Sequence, residues 1–124
     1  MGYNVGEKWG ERMPVQLNEC PVEVVFTMLS GRWKIPIYRY LYNNNKPVRY
    51  SGLLRHLPSI SKKILTEQLR ELERDGIIER KSYLEPRPRV EYSLTSSGSS
   101  MIVFLDKMSE WGEKHILSNE TEHR

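Results

Sequence analysis

The sequence predicts an α+β domain, mostly α-helical, on three observations. Two apolar stripes at helical spacing, Leu53-Leu54-Leu57 and Leu65-Leu69-Leu72, flank the turn Pro58-Ser59-Ile60, so two helices are joined by a few residues. The stretch Ile77 to Tyr83 and the cleanly alternating stretch Arg89 to Leu94 flank the proline-stiffened tip Leu84 to Pro88 and read as a β-hairpin. An apolar repeat then runs from Met101 through Leu105, Met108 and Trp111 to Ile116. A helix-turn-helix followed by a hairpin is a winged helix, here enclosed by N- and C-terminal helices suited to dimerisation.

In chain order, residues 1–19 are polar and hold three glycines, and read as a weakly structured arm whose Trp9, Met13, Val15 and Leu17 could pack on a partner. Cys20-Pro21 opens a short helix, because proline suits the first helical position. Val22, Val25, Phe26 and Leu29 form its stripe and Ser30-Gly31 ends it. A second helix is expected from about Trp33 to Tyr42, with Pro36 tolerated in the first turn and Ile37, Tyr38 and Leu41 inward. Asn43 to Pro47 is a loop and Val48-Arg49-Tyr50 a very short strand. Ser51 is expected to cap a brief helix ending at Leu57.

The next helix carries the strongest local signals. Ser61 is a good N-cap, Ile60 and Leu65 have the spacing of a hydrophobic staple, and Gly76 stands where a left-handed residue would end it. Glu67 with Arg70 and Glu71 with Arg74 are expected surface pairs. Thr95 caps a last helix from Ser96 to about Leu117, apolar over more than one face, which calls for extra cover. Met101, Leu105, Met108 and Trp111 mark the expected dimer interface; a monomeric core helix is the alternative. Residues 20–118 then form one domain and 119–124 a tail.

The 124 residues suffice for one modest core, and 38% hydrophobic with 28% charged residues fits a soluble protein. No apolar run is long enough for a membrane span, and the amino-terminal stretch has no apolar signal region. A single cysteine, Cys20, cannot close an internal disulfide and fits a reducing compartment, so a cytoplasmic location is expected. His56, His115 and His123 are scattered, and neither a metal-ligand spacing nor a glycine-rich phosphate loop occurs, which argues against an enzyme, a metal site or a cofactor.

Net charge is only +3, but its distribution is uneven. Between Glu23 and Glu67 there is no carboxylate, while Arg32, Lys34, Arg39, Lys46, Arg49, Arg55, Lys62 and Lys63 all lie there. Such a block suggests a face for an anionic polymer. Lys62 and Lys63 crowd the leading end of the helix capped by Ser61, where cations oppose the helix dipole. A phosphate at that end would relieve the conflict.

With these parts in place, the chain resembles the HxlR-type branch of the MarR-like winged-helix transcription regulators from about Cys20 to Leu117. The residues that carry the likeness are Cys20-Pro21-Val22-Glu23, Ser30-Gly31-Arg32-Trp33-Lys34, Arg49-Tyr50-Ser51 with Leu53-Leu54-Arg55, Ile60-Ser61 through Glu73, Pro88 to Thr95 with Gly98, and Glu110-Trp111-Gly112. Arg87-Pro88 stands where Pro-Pro is common, and Pro36 where an aliphatic is usual. The resemblance implies a homodimeric bacterial-type regulator of double-stranded operator DNA, its recognition helix in the major groove and its wing along the minor groove. Lys62, Lys63, Arg70, Arg87 and Arg89 would then meet phosphates or groove edges, with Arg49 beside them, and Ser51, Ser61 and Thr66 would add hydrogen bonds. Lys63 and Thr66 are the candidate base readers.

In several members of that family the cysteine at the position of Cys20 senses oxidants or electrophiles. A helix N-terminus favours its thiolate, whereas Glu19 and Glu23 oppose it. With no second cysteine, switching would need Cys20 of the partner subunit, a small thiol or an alkylating electrophile; a buried inert cysteine is the alternative. Two other functions stay open from the sequence: a winged-helix protein–protein module, and a regulator answering a small molecule without cysteine chemistry.

Overall fold

The computed structural model describes residues 19–84 and 86–117, so the expected arm, with Trp9, Met13, Val15 and Leu17, and the expected tail lie outside the described residues. The element order is α1 (Pro21–Leu29), α2 (Lys34–Asn44), β1 (Val48–Arg49), α3 (Tyr50–His56), α4 (Lys62–Arg74), β2 (Ile78–Tyr83), β3 (Arg89–Leu94), α5 (Ser96–Ser100), α6 (Ile102–Gly112) and a π-helical turn, Glu113–Leu117. The three strands form an antiparallel sheet in the order β1-β3-β2.

The amphipathic stripes meet in one core. Ile37, Tyr38 and Leu41 from α2, Leu53 and Leu57 from the α3 region, and Leu65, Leu69 and Leu72 from α4 are all buried. Burying each leucine of α4 contributes about 2 kcal/mol, which fixes the helix's inner face and turns Lys63 and Arg70 outward. Pro36 is the third residue of α2, where its missing N–H would have had no partner inside the helix. The helix continues past the expected Tyr42 to Asn44 and ends on Asn45 at φ 56°, a left-handed position that asparagine tolerates.

Three boundaries depart from expectation. Tyr50 begins α3 instead of ending β1, and Ser51 is an exposed residue inside the helix, not its cap; the N-cap is Arg49, without a side-chain cap bond. The cause is long-range: Val48 and Arg49 pair with Tyr92 and Glu91 of β3, and the chain turns into the helix straight after. The last helix is not continuous. Ser96–Ser100 is rich in serine and glycine, poor helix formers, and at Met101 the amide bonds back three residues, to Gly98 O at 3.1 Å, before α6 starts. Beyond Gly112 the helix widens into the π-helical turn. Finally, the expected Glu71–Arg74 pair of α4 is replaced: Glu71 binds Lys34 at 2.6 Å and Arg74 contacts Asp75 at 3.5 Å.

One joint ties α4 to the hairpin and the last helices. Gly76, at φ 78°, donates to Glu73 O, and Ile77 N donates to Leu72 O, a Schellman ending. Thr95 caps α5 by accepting from Gly98 N at 2.9 Å, and its hydroxyl also donates to Gly76 O at 2.6 Å. Gly98 sits so close to Ile77 that an added Cβ would lie 2.0 Å from its carbonyl oxygen. The buried Tyr38 hydroxyl donates to Gly98 O at 2.6 Å. Burial, then the neighbouring Tyr42, pushes the Tyr38 phenol up to about 12.

Candidate nucleic-acid interface

The amino-terminal turn of α4 projects from the body. Ser61, extended at φ −83° and ψ 158°, accepts from Ile64 N at 3.1 Å, so the cap forms as expected and the hydroxyl proton stays available to donate. Ser61, Lys62 and Lys63 are exposed, as is Arg70 two turns on; these cations make no ion pair among the described residues. Thr66, between Lys63 and Arg70, is half-buried.

Two contacts outside the α4 leucines hold this helix in place, one toward its end and one at its first turns. Lys34 of α2 is 4% exposed, and its Nζ lies 2.6 Å from Glu71 Oε1. Tyr50, the first residue of α3, donates its hydroxyl to Lys62 O at 3.1 Å and lies 3.2 Å from Thr66 Oγ1. The sequence marks Lys34 as part of the basic block and Tyr50 as part of a shared motif, but gives neither a role in holding α4. Lys34 counts among the unpaired bases there, yet it is paired, and so is Arg39, which meets Asp106 at 3.4 Å. Lys34 does share a face with Ile37, Tyr38 and Leu41 at helical spacing, a signal that could have revealed its burial.

The remaining candidates divide. Arg49 and Ser51 are exposed at the junction of β1 and α3. Arg87 is exposed at the tip of the hairpin, where Leu84 is 97% exposed. Arg89, expected to resemble it, is instead committed to the wing: its Nε contacts Glu91 Oε2 at 3.0 Å and its guanidinium lies 4.1 Å from the Tyr83 ring centre. His56 stacks on Tyr40, ring centres 4.0 Å apart.

On another face, α1, the start of α2 and α6 enclose an open groove of about 700 Å³ whose lining includes Val22, Phe26, Ile35, Phe104 and Met108. Of the four expected interface residues, Met101 and Leu105 are buried within the chain, Leu105 also lining this groove, while Met108 and Trp111 are exposed, with Val103, Ile116 and Leu117 beside them. Cys20 is exposed at the N-cap of α1, so the burial that the alternative expects is not found. Among the described residues no helix is long and apolar enough to cross a membrane.

A model of the HxlR-like helix-turn-helix matches residues 28–120. The chain belongs to the HxlR-like helix-turn-helix family. The resemblance drawn from sequence motifs is therefore correct, as is the winged-helix fold. Among its HxlR-like relatives is BH0655 of Halalkalibacterium halodurans, an HTH-type transcriptional regulator, 36% identical over 99 residues, which are 80% of this chain and 87% of that protein. The redox regulator HypR in its oxidised form is 40% identical with a TM-score of 0.67, covering 77% of this chain and 97% of that one. Reduced YodB, a transcriptional regulator from B. subtilis, is 32% identical with a TM-score of 0.72, covering 79% and 96%. Transcription regulation through DNA binding is thus the general activity to which this HxlR-like fold is put.

Proposed function

We propose that two copies of this chain pair through the apolar faces of α1 and α6 and present their α4 helices to successive major grooves of an operator. The observation that carries the reading is the outward amino-terminal turn of α4, whose cations Lys62 and Lys63 make no ion pair among the described residues. Lys62, Arg70 and Arg87 neutralise phosphates, with Arg49 beside them at the groove and Ser51 and the free proton of Ser61 adding backbone contacts. Lys63 and Thr66 read base edges. Arg89 stiffens the wing that carries Arg87 along the minor groove. Two-fold pairing spaces the half-sites one helical turn apart, about 34–36 Å.

The test is a gel shift and a footprint on the duplex upstream of the protein's own gene at moderate salt. Two protected half-sites are expected, with Lys63→Ala losing preference for them by about 1–3 kcal/mol. Equal binding of operator and random duplex by wild type and Lys63→Ala would refute the groove assignment. Protection of a single half-site would refute the pairing.

A thiol switch belongs to the same proposal. It is supported by the exposure of Cys20 beside Pro21 and Val22 of the apolar groove, and by the likeness to the redox regulator HypR. An oxidant or electrophile that modifies Cys20 would add bulk or a cross-link at the edge of the pairing face. Treatment with diamide should change operator binding of wild type and leave Cys20→Ser as it was. An identical response from both would end the switch while leaving the regulator reading intact.

A further inference from the structure

We infer that Tyr50 fixes the hydrogen-bonding polarity of Thr66, and so makes Thr66 a reader of amino-bearing bases. The inference rests on the DNA reading above and names what one position of α4 selects. Tyr50 is half-buried at the start of α3 and packs against the core. Its hydroxyl lies 3.1 Å from Lys62 O and 3.2 Å from Thr66 Oγ1. A backbone carbonyl only accepts, and a phenol has one proton, so the Tyr50 proton goes to Lys62 O. The contact with Thr66 then has one direction: the Thr66 hydroxyl donates to the Tyr50 oxygen.

The consequence follows from the hydroxyl inventory. A free threonine hydroxyl can donate or accept, and so meets either kind of base edge. With its proton turned inward to Tyr50, Thr66 has only lone pairs left for a ligand. In the major groove the matching donors are the N6 amine of adenine and the N4 amine of cytosine; guanine and thymine offer acceptors at the equivalent places. Thr66 therefore selects adenine or cytosine on the strand it meets and disfavours guanine or thymine. The same contact fixes its rotamer. A threonine within a helix ordinarily divides between two rotamers, one bonding its own carbonyl four residues back. For Thr66 that carbonyl is Lys62 O, already the acceptor for Tyr50.

The test uses the full chain, Tyr50→Phe, Thr66→Val and the double variant, with thermal unfolding as the folding check. Each is presented with a pool of duplexes randomised over 20 base pairs, and bound molecules are sequenced. Wild type should enrich adenine or cytosine over guanine and thymine about fivefold at one position per half-site, the worth of a single hydrogen bond. Thr66→Val should abolish that enrichment and Tyr50→Phe should cut it to about twofold or less, with the double variant no different from Thr66→Val. Three-bond couplings of the Thr66 methyl carbon, read by NMR without DNA, should report one rotamer in wild type and averaging in Tyr50→Phe. Enrichment that persists in Tyr50→Phe, or an averaged rotamer in wild type, would overturn the assignment. A pool from which wild type enriches nothing would instead refute DNA reading itself, and this inference with it.

Discussion

Arg87 and Arg89 are two residues apart at the same wing, yet removing them should have different effects on DNA binding. Arg87 is exposed with no ion pair among the described residues, whereas Arg89 is held by Glu91 at 3.0 Å and stacked on Tyr83 at 4.1 Å. Counting Lys62, Arg70 and Arg87 as one phosphate each, a paired molecule neutralises about six phosphates, for a slope of log K against log salt near about −5.4. Between 50 and 200 mM salt, affinity should then fall roughly 2,000-fold. Arg87→Ala removes two of those contacts, flattens the slope to about −3.6, and reduces the fall to roughly 150-fold. Arg89→Ala should keep the steep slope and instead lose about 1 kcal/mol of hairpin stability, from the ring contact and the partly shielded ion pair. Fluorescence anisotropy with a labelled duplex across that salt range separates the two cases. If Arg89→Ala flattened the slope as much as Arg87→Ala does, the assignment of Arg89 to the wing's own structure would be wrong.

Other outcomes follow from the joint and the core. Gly98→Ala forces its Cβ to 2.0 Å from Ile77 O, so the α4–β2–α5 joint must open; a loss of about 3 kcal/mol or more is expected in urea unfolding. Removing Glu71 should cost more than removing Lys34, because Glu71→Ala leaves a buried ammonium while Lys34→Met leaves a carboxylate that is 40% exposed; about 3 against about 1 kcal/mol is expected by the same assay. Tyr38 has its folded pKa raised to about 12 from 10.0, so its contribution is fully present below pH 10 and is lost as pH rises through 12. The stability difference between wild type and Tyr38→Phe should accordingly shift by about 2–3 kcal/mol against wild type over that window.

Which of these features could be read from sequence depends on how far apart the interacting residues lie. Ser61, Thr95 and Gly76 are recognisable because a cap or a left-handed ending is decided within three or four residues. The stripes of α2 and α4 are recognisable because burial repeats with the helical period. Ser51 misleads for a long-range reason: as a cap it competes with a strand pairing to residues some forty positions away, and the pairing sets where α3 starts. The repeat through Met101, Leu105, Met108 and Trp111 shows which residues seek cover but not whether the cover is the chain's own core, as around Met101, or a second molecule.

The residues that hold the site are hidden for the same reason. Tyr38 reaches Gly98, Lys34 reaches Glu71 and Tyr50 reaches Lys62 and Thr66 across turns whose geometry no local pattern contains. One of them could nonetheless be inferred. A lysine on the buried stripe of α2 cannot stay uncompensated, so it demands a carboxylate on whatever packs there. The region from Val24 to Thr66 offers none, and α4, the next helix to pack on the core, carries Glu67, Glu71 and Glu73. Of these, Glu71 is only one residue from the buried Leu72, and the geometry meets the demand there. The basic block thus turns one of its charges inward, where it anchors the helix whose exposed cations are the ones proposed to meet DNA.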